Sequence, residues 1–532
     1  MAVIRKESLA EKGDSPVLCY NCSAALSAIS KTHQGQNIIM WICEFCDHPN
    51  CMNPATVPSR PLNDAVYALE WQRDRVDVED ALIVFCVDIS GSMSVTSEVK
   101  GSKERSRSEH VSRLQCVKNG IMKSLQFLRQ QSPRARVGLV TFNDEVTVFG
   151  GGLSSPLTLT DYELMDLDYL QERGRLYPTP QSIAETMSSL SRRVNEMIGC
   201  GATALGPAAV IAIEMAAKQV GSKVIVCTDG LANTGLGFLD SMEDELCESG
   251  SYFYTHLSET ASTLGVVVSV LTFEGTDCRL AEVGKLADRT GGRVEIVNPG
   301  SLSHELQSIL EDDVMATNMT LQFYVAKDMY FRYEEQVGNK LVREIGNVTK
   351  DAEITFEFGI KEADPSTIQQ KRETFPFQLQ ADFTTRDQRR VRRIISHEKY
   401  ITMNRAFVED SINVMVLGVH AAQLSARLTM ERRGGEAQRG VQAHTSLIRD
   451  IVEKKQNKEE EDIYENWMGA VASICEDAMG PCELEGDAGN IDSTVTVHGS
   501  ALKGFSDEMM NAIFRMKNAK TKMLRKSNKT KN

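Results

Sequence analysis

The apolar run Ala81-Leu82-Ile83-Val84-Phe85-Cys86-Val87 leads directly into Asp88-Ile89-Ser90-Gly91-Ser92-Met93. A continuous apolar strand with no polar alternation is one covered on both faces, as in parallel sheets flanked by helices. This strand then ends in a loop presenting one carboxylate and two hydroxyls at alternate positions. Two distant segments carry groups of the same kind. Gly201-Ala202-Thr203 opens a predicted helix, and Thr228-Asp229-Gly230 closes a second apolar strand, Lys223 to Cys227. In an open α/β sheet, ligands bind beyond the carboxyl ends of the strands, and all three segments are expected there.

The donors suit a small hard cation. Mg²⁺ prefers an octahedron of oxygens, gives up its waters reluctantly, and takes only one or two protein carboxylates. Ser90 and Ser92 offer neutral hydroxyls, Thr203 binds directly or through water, and Asp88 and Asp229 carry the negative charge. A site so poor in anionic ligands leaves the ion electrophilic and open to an outside carboxylate. Asp-x-Ser-x-Ser, the distant Thr and the later Thr-Asp-Gly resemble the metal-ion-dependent adhesion site of von Willebrand factor A-type domains. The resemblance implies Mg²⁺ (or Mn²⁺) on Asp88, Ser90, Ser92, Thr203 and Asp229, with an Asp or Glu of a protein partner completing the shell.

A second metal signal lies upstream. Cys19-Tyr20-Asn21-Cys22 and Cys43-Glu44-Phe45-Cys46 are two CxxC pairs separated by twenty residues. That spacing reads as a four-thiolate zinc site. All-cysteine tetrahedral zinc has no open position, so its role is structural. A module this small lacks a core of its own and takes its folding energy from the metal, about 10–16 kcal/mol in comparable peptides.

Composition narrows the class. The chain has 532 residues, enough for two to four domains, and a net charge of −14, which argues against nucleic acid as a partner. Of the thirteen cysteines, four are zinc-like and others sit inside apolar strands, as in a reducing compartment. Met1 to Pro16 is polar and charged, so no secretory signal is expected. Nor does any apolar run reach the length of a membrane span.

The resulting fold class is multidomain: α/β plus all-β and α. A zinc module covers 18–52, and a Pro-rich connector follows from Asn53 to Pro61. A doubly wound parallel-sheet A-type domain covers 78–312, with Thr96–Glu109 as a polar insertion beside the metal loop. Short alternating strands over 316–404 predict an antiparallel β-sandwich. They are Thr320–Val325, Met329–Glu334, Glu353–Phe358, Phe375–Phe383 and Arg390–Ser396. A helical region covers 405–478, broken at Arg432-Arg433-Gly434-Gly435. An acidic loop and a basic tail cover 479–532; Lys517 to Asn532 reads as solvated, though it is able to touch anionic lipid.

This order of zinc module, A-type domain, β-sandwich and helical region resembles the inner-coat subunits of COPII vesicles, from Leu18 to about Ile474. The cysteine quartet and Gln388-Arg389-Arg390-Val391-Arg392-Arg393-Ile394 support it. Two features depart from that family: too little chain follows for a gelsolin-like domain, and the family's A-type domains generally lack a full metal site. The resemblance implies a cytoplasmic protein, compatible with peripheral association with endomembranes, and a related coat-like subunit as a second partner. A-type domains with cysteine-rich modules also occur in nuclear transcription, repair or ubiquitin-linked complexes, which remains an alternative.

No catalytic residues are assigned. There is no G-x-x-x-x-G-K-[ST] phosphate loop and no His-Glu-x-x-His. The metal loops bring no His, Lys or spare Glu as a general base. The expectation is a non-enzymatic adaptor, with an Mg²⁺-dependent hydrolase as the competing class.

Overall fold

The structure, a computed structural model, describes residues 15–57, 61–69, 82–99, 109–240, 244–334, 338–361, 373–469 and 505–521. At its centre the strand Leu82–Asp88 is buried along its whole length. It pairs in parallel with Arg136–Phe142 on one side and Lys223–Cys227 on the other. Val267–Phe273 and Val294–Val297 extend the parallel part. Val146–Gly150 and Leu157–Leu159 close the opposite edge antiparallel, giving seven strands.

Successive side chains of a strand point to opposite faces, and here both faces are apolar. Ile83, Phe85 and Val87 pack with Leu114, Val117, Ile121 and Leu125 of the helix Arg113–Gln131 and with Leu302 and Leu306 of Leu302–Glu311. Val84 and Cys86 face the helix Leu205–Ala216, which is buried at every position. Its alanines let it lie close to the sheet. The one carboxylate it buries, Glu214, is held by both Nε (2.9 Å) and a terminal nitrogen (3.1 Å) of Arg175, as a buried charge requires.

A five-stranded antiparallel sheet stands beside this unit in the order Lys340–Thr349, Val314–Val325, Thr374–Thr384, Arg390–Tyr400, Asp64–Ala68. Met329–Phe331 and Phe358–Ile360 form a separate pair. Three features correct the sequence reading of this region. Asp64–Ala68 comes from ahead of the seven-stranded sheet, so the strands of this layer are not all contained in 316–404. Arg393 fixes it, with Nε 2.8 Å and a terminal nitrogen 2.5 Å from the two oxygens of Asp64. The strand Lys340–Thr349 was not foreseen, because Lys, Arg and Glu interrupt its alternation. Conversely, most of Glu353–Phe358 is not strand; its polar side chains turn toward helices instead.

The helices Arg405–Ser411, Val414–Met430, Gly434–Lys455 and Lys458–Trp467 follow. Asn404 and Asn413 accept from the backbone N–H three residues on and so start the first two. Trp467 is buried and donates to the Gly418 carbonyl at 2.9 Å. The polar insertion forms a short hairpin at its ends, Thr96–Val99 with Glu109–Ser112. Its middle and the acidic stretch Gly480–Gly499 lie outside the described residues.

The reading of 479–532 as loop and tail is overturned in part by the helix Asp507–Lys517. Met510, Ile513 and Phe514 are buried in the core beneath the seven-stranded sheet. The Asp507 carboxylate accepts from the N–H of Cys278 (2.6 Å) and Leu280 (2.7 Å), capping a helix distant in sequence. Two buried N–H groups would otherwise be orphaned. Asp507→Ala is therefore expected to cost about 2–3 kcal/mol in urea unfolding, and Asp507→Asn, which keeps an acceptor, clearly less. Equal losses for the two would show that the cap is not what matters.

Candidate metal centres

Asp88 is wholly buried where the central strand ends. One of its oxygens accepts the Ser90 N–H (2.7 Å) and the other the Thr228 hydroxyl (2.6 Å). Burial pushes this carboxyl up to about 6, against the opposing pull of those hydrogen bonds. The two bonds tie the loop after the first strand to the loop after Lys223–Cys227. Ser90 Oγ then lies 3.0 Å from Ser92 Oγ, which donates to Asp229 Oδ1 at 2.6 Å. Thr203 joins from the third loop. A β-carbon built on Gly230 would sit 3.0 Å from Thr203 Oγ1 and 3.5 Å from Ser92 Oγ. All five sequence-predicted residues thus meet at one sheet edge.

The third loop is held by backbone and amide contacts. Gly91 N–H donates to the Gly201 carbonyl (3.1 Å) and Cys200 N–H to the Ile89 carbonyl (2.8 Å). Asn233 Oδ1 accepts from Thr203 N–H at 2.7 Å. Gly201 has φ +82°, and a β-carbon there would collide with Asp144 Oδ1, so glycine is required.

The donor set fits a small divalent ion. Oxygens on adjacent corners of an Mg²⁺ octahedron lie about 2.9 Å apart, from Mg–O distances of about 2.0–2.1 Å. The hydroxyl and carboxylate spacings of 3.0 and 2.6 Å bracket that value. Sequence reasoning missed one participant. Arg113, the first residue of its helix, donates to Asp229 Oδ2 at 2.7 Å and lies 5.9 Å from the Phe273 ring centroid. It is a fixed cation on the acidic ligand, and 116 residues of sequence separate the two. The only local signal was its place just after the Ser112 cap.

The cysteines form the second centre. Cys19 and Cys46 sulfurs are 3.6 Å apart, as are those of Cys22 and Cys43, and all four lie within 4.8 Å of one another. Zn–S bonds of about 2.3 Å imply S···S edges near 3.8 Å, so the cluster fits zinc. The hydrogen bond with Cys43 brings the Cys22 thiol down to about 5 and drives that of Cys43 up. Asn50 Nδ2 reaches Cys19 Sγ at 3.5 Å while its Oδ1 accepts from Tyr20 N–H at 3.0 Å, bracing the ligand loop.

The module is seated on the antiparallel sheet by amides the sequence gave no sign of. Gln378 accepts from Ala25 N–H (2.6 Å) and donates to the Ala25 carbonyl (2.8 Å). Gln380 donates to the Ser23 carbonyl and Asn339 to that of Phe45. Tyr324 of the sheet completes the small core of Trp41 and Phe45.

Comparison with known proteins bears on the fold. The Sec23/Sec24 trunk domain family matches residues 106–316. Circularly permutated Ras protein 1 of Dictyostelium discoideum is 26% identical over 485 residues, 86% of this chain and 57% of its own length. Protein transport protein SEC24-2 of Naumovozyma castellii is 20% identical over 341 residues, 58% of this chain and 35% of its own. The chain thus spans about half or less of the curated relatives it matches. The crystal structure of the human COPII-coat protein Sec24c superposes with a TM-score of 0.58 at 13% identity, covering 95% of this chain and 68% of that one. That likeness is one of fold.

Because the zinc module's small core depends on its thiolates and meets the sheet through Tyr324 and a few amides, its loss should stay local. Cys43→Ser is expected to remove one zinc per chain by elemental analysis. Limited proteolysis should then cut within 18–52 while the seven-stranded unit keeps its melting transition. Wild-type protein without zinc would refute the assignment.

Proposed function

We propose, for a chain whose residues 106–316 match the Sec23/Sec24 trunk domain family, a non-enzymatic adaptor of vesicle-coat type that gathers protein partners. The observation that carries this reading is the continuity of the architecture. A thiolate module seated on an antiparallel sheet, a doubly wound sheet and a helical region follow the Sec24c fold over 95% of the chain. In this reading the working units are 18–52, 78–312, 316–404 with the added strand Asp64–Ala68, and 405–478, closed by the helix Asp507–Lys517. Among the described residues no helix is long and apolar enough to cross a membrane. The proposed site of action is cytoplasmic and peripheral to endomembranes, beside a related coat-like subunit.

The finer proposal concerns the sheet edge. Ser90, Ser92 and Asp229 would hold Mg²⁺ (or Mn²⁺), Thr203 would join directly or through water, and Asp88 would brace the loop from behind. When bound, the ion supplies a positive charge that a partner's Asp or Glu can meet. The chain's own residues do the rest. Asp88 holds Ser90 in register with Thr228, and Arg113 occupies the free oxygen of Asp229. One such contact is too small for stable affinity, since specific interfaces bury at least about 1,200 Å². In this reading the hairpin Thr96–Val99 with Glu109–Ser112 and the segment Gly230–Gly237 would contribute to that surface.

The test is affinity capture from cell extract with and without EDTA, read by mass spectrometry. Coat subunits should be recovered, and a subset should be lost both with EDTA and with Asp229→Ala. Recovery of no coat subunit would sink the adaptor reading. Recovery indifferent to EDTA and to Asp229→Ala would sink the metal part alone.

Two expectations sharpen the metal part. Arg113→Ala should tighten Mg²⁺ binding several-fold by calorimetry, because it removes a competing cation from Asp229. Since Asp88 braces the ligand loops as a carboxylate that accepts from Ser90 and Thr228, and burial raises its carboxyl to about 6, Mg²⁺ affinity should be level above that pH. Below it, affinity should fall by up to about tenfold per unit.

A further inference from the structure

Glu357, His420 and His444 come together from three separate segments, and their ligand atoms all lie within 4.8 Å of one another. Glu357 precedes the strand Phe358–Ile360, His420 lies on the helix Val414–Met430, and His444 on Gly434–Lys455. His420 Nε2 is 3.1 Å from Glu357 Oε2, and His444 Nε2 is 3.8 Å from the same oxygen. The two rings meet edge to face, centroids 5.3 Å apart. None of the three belongs to the thiolate cluster or the sheet-edge site.

The protons of both rings can be assigned from their other partners. His444 Nδ1 lies 2.7 Å from the Gly440 carbonyl, which only accepts, so Nδ1 carries a hydrogen. His420 Nδ1 lies 2.9 Å from Thr355 Oγ1. That hydroxyl already donates to Gln423 Oε1 at 2.9 Å, so it must accept from His420. The Gln423 amide is itself oriented, because its Nε2 donates to the carbonyls of Glu353 (2.8 Å) and Ala519 (3.0 Å). Both imidazoles therefore turn an Nε2 lone pair, in their neutral form, toward a carboxylate. Three electron-pair donors facing one another with little solvent need positive charge between them, supplied by a metal ion or by a proton. Side-chain exposure is only 10% for His420 and 11% for His444.

We propose that Glu357 Oε2, His420 Nε2 and His444 Nε2 form a third metal centre, a two-histidine, one-carboxylate site for a divalent transition ion such as Zn²⁺. Ligand atoms around such an ion at about 2.0–2.1 Å stand about 3.3–3.4 Å apart, so separations of 3.1 and 3.8 Å close with small ring movements. Each histidine already donates its far nitrogen to an oxygen, the arrangement that orients imidazole for a metal. Glu357 Oε1 is engaged by Arg332 at 3.3 Å, leaving Oε2 for the ion. Imidazole with carboxylate suits Zn²⁺ and its neighbours in the first-row series rather than Mg²⁺. The ion would staple two helices to the β-layer at one point.

The full chain is stripped with chelator, refilled with Zn²⁺ in buffer containing Mg²⁺ to saturate the oxygen site, and passed through gel filtration. Two zinc ions per chain are expected, falling to one for His444→Gln and for Glu357→Gln. Thr355→Val should weaken the second site about 10–100-fold against a chromophoric chelator, since it frees the His420 orientation. A chain carrying Cys22→Ser and Cys43→Ser provides a reading independent of those variants' folding. With Co²⁺ it should show visible absorption without a thiolate charge-transfer band. One zinc in the wild type, with no such absorption in the thiol-deleted chain, would overturn the site and leave a protonated His420–Glu357 ion pair.

Discussion

Asp88 ends the central strand with a carboxylate that water does not reach, and both its oxygens are taken, by the Ser90 N–H and the Thr228 hydroxyl. A buried carboxylate without partners costs several kcal/mol. The pairing of the two loops is thus enforced by the penalty for breaking it as much as by the strength of the bonds. Thr228 directly precedes Asp229, and Ser90 stands two residues before Ser92. Once Asp88 has locked the first pair, the second pair meets at 2.6 Å across 137 residues of sequence. The parallel register of Leu82–Asp88 with Lys223–Cys227 brings the strand ends level, so the carboxylate needs no distortion to span the gap. A structural bond in the sheet therefore sets the geometry of the donors above it, of which Ser92 is the exposed one.

The same economy governs how the layers join. Apolar contact holds each unit together and also runs between the seven-stranded sheet and the helices that follow, while amides and forks that recognise backbone fix the joins. Gln378 reads both the N–H and the carbonyl of Ala25. Gln423 bridges Glu353, Thr355 and Ala519, and Asp507 caps the segment at Cys278 and Leu280. Such bonds contribute modestly when made and cost the full desolvation of their groups when lost. They fix one relative placement of the units rather than add much net stability. The same joins bring Glu357, His420 and His444 from three elements to one point.

What the sequence revealed follows from where the information sits. Leu82–Val87 was legible because burial on two faces leaves an unbroken apolar run. The cysteine pairs were legible because metal ligation fixes both residue type and spacing. The five oxygen donors could be grouped because each follows directly on a recognisable strand or opens a helix. Asp64–Ala68 escaped because a five-residue edge strand beginning with Asp gives no period to read, and its pairing partner lies more than 300 residues away. Lys340–Thr349 escaped because Lys340, Arg343 and Glu344 interrupt its alternation and its register shifts around Gly346. The helix Asp507–Lys517 was hidden within a stretch whose composition suggests a solvated tail. Arg113, Gln378 and the two histidines act through contacts that only the folded chain creates.

Arg113 is the residue that most changes the meaning of the sheet edge. A guanidinium keeps its charge at any physiological pH, so Asp229 is balanced whether or not an ion is present, while Asp88 is balanced only by hydrogen bonds. Counting the groups in direct contact, two carboxylates against one guanidinium leave a single negative charge. A divalent ion, in the proposed state, turns that into a single positive charge, and one carboxylate from outside brings the cluster to neutrality. A third carboxylate supplied by the chain itself would have removed the attraction for a partner. Without Arg113 the ion would be more tightly held and less electrophilic toward that partner. In the proposed metal-bound state the arginine would keep the ion's affinity for the chain low and its demand for an external anion high.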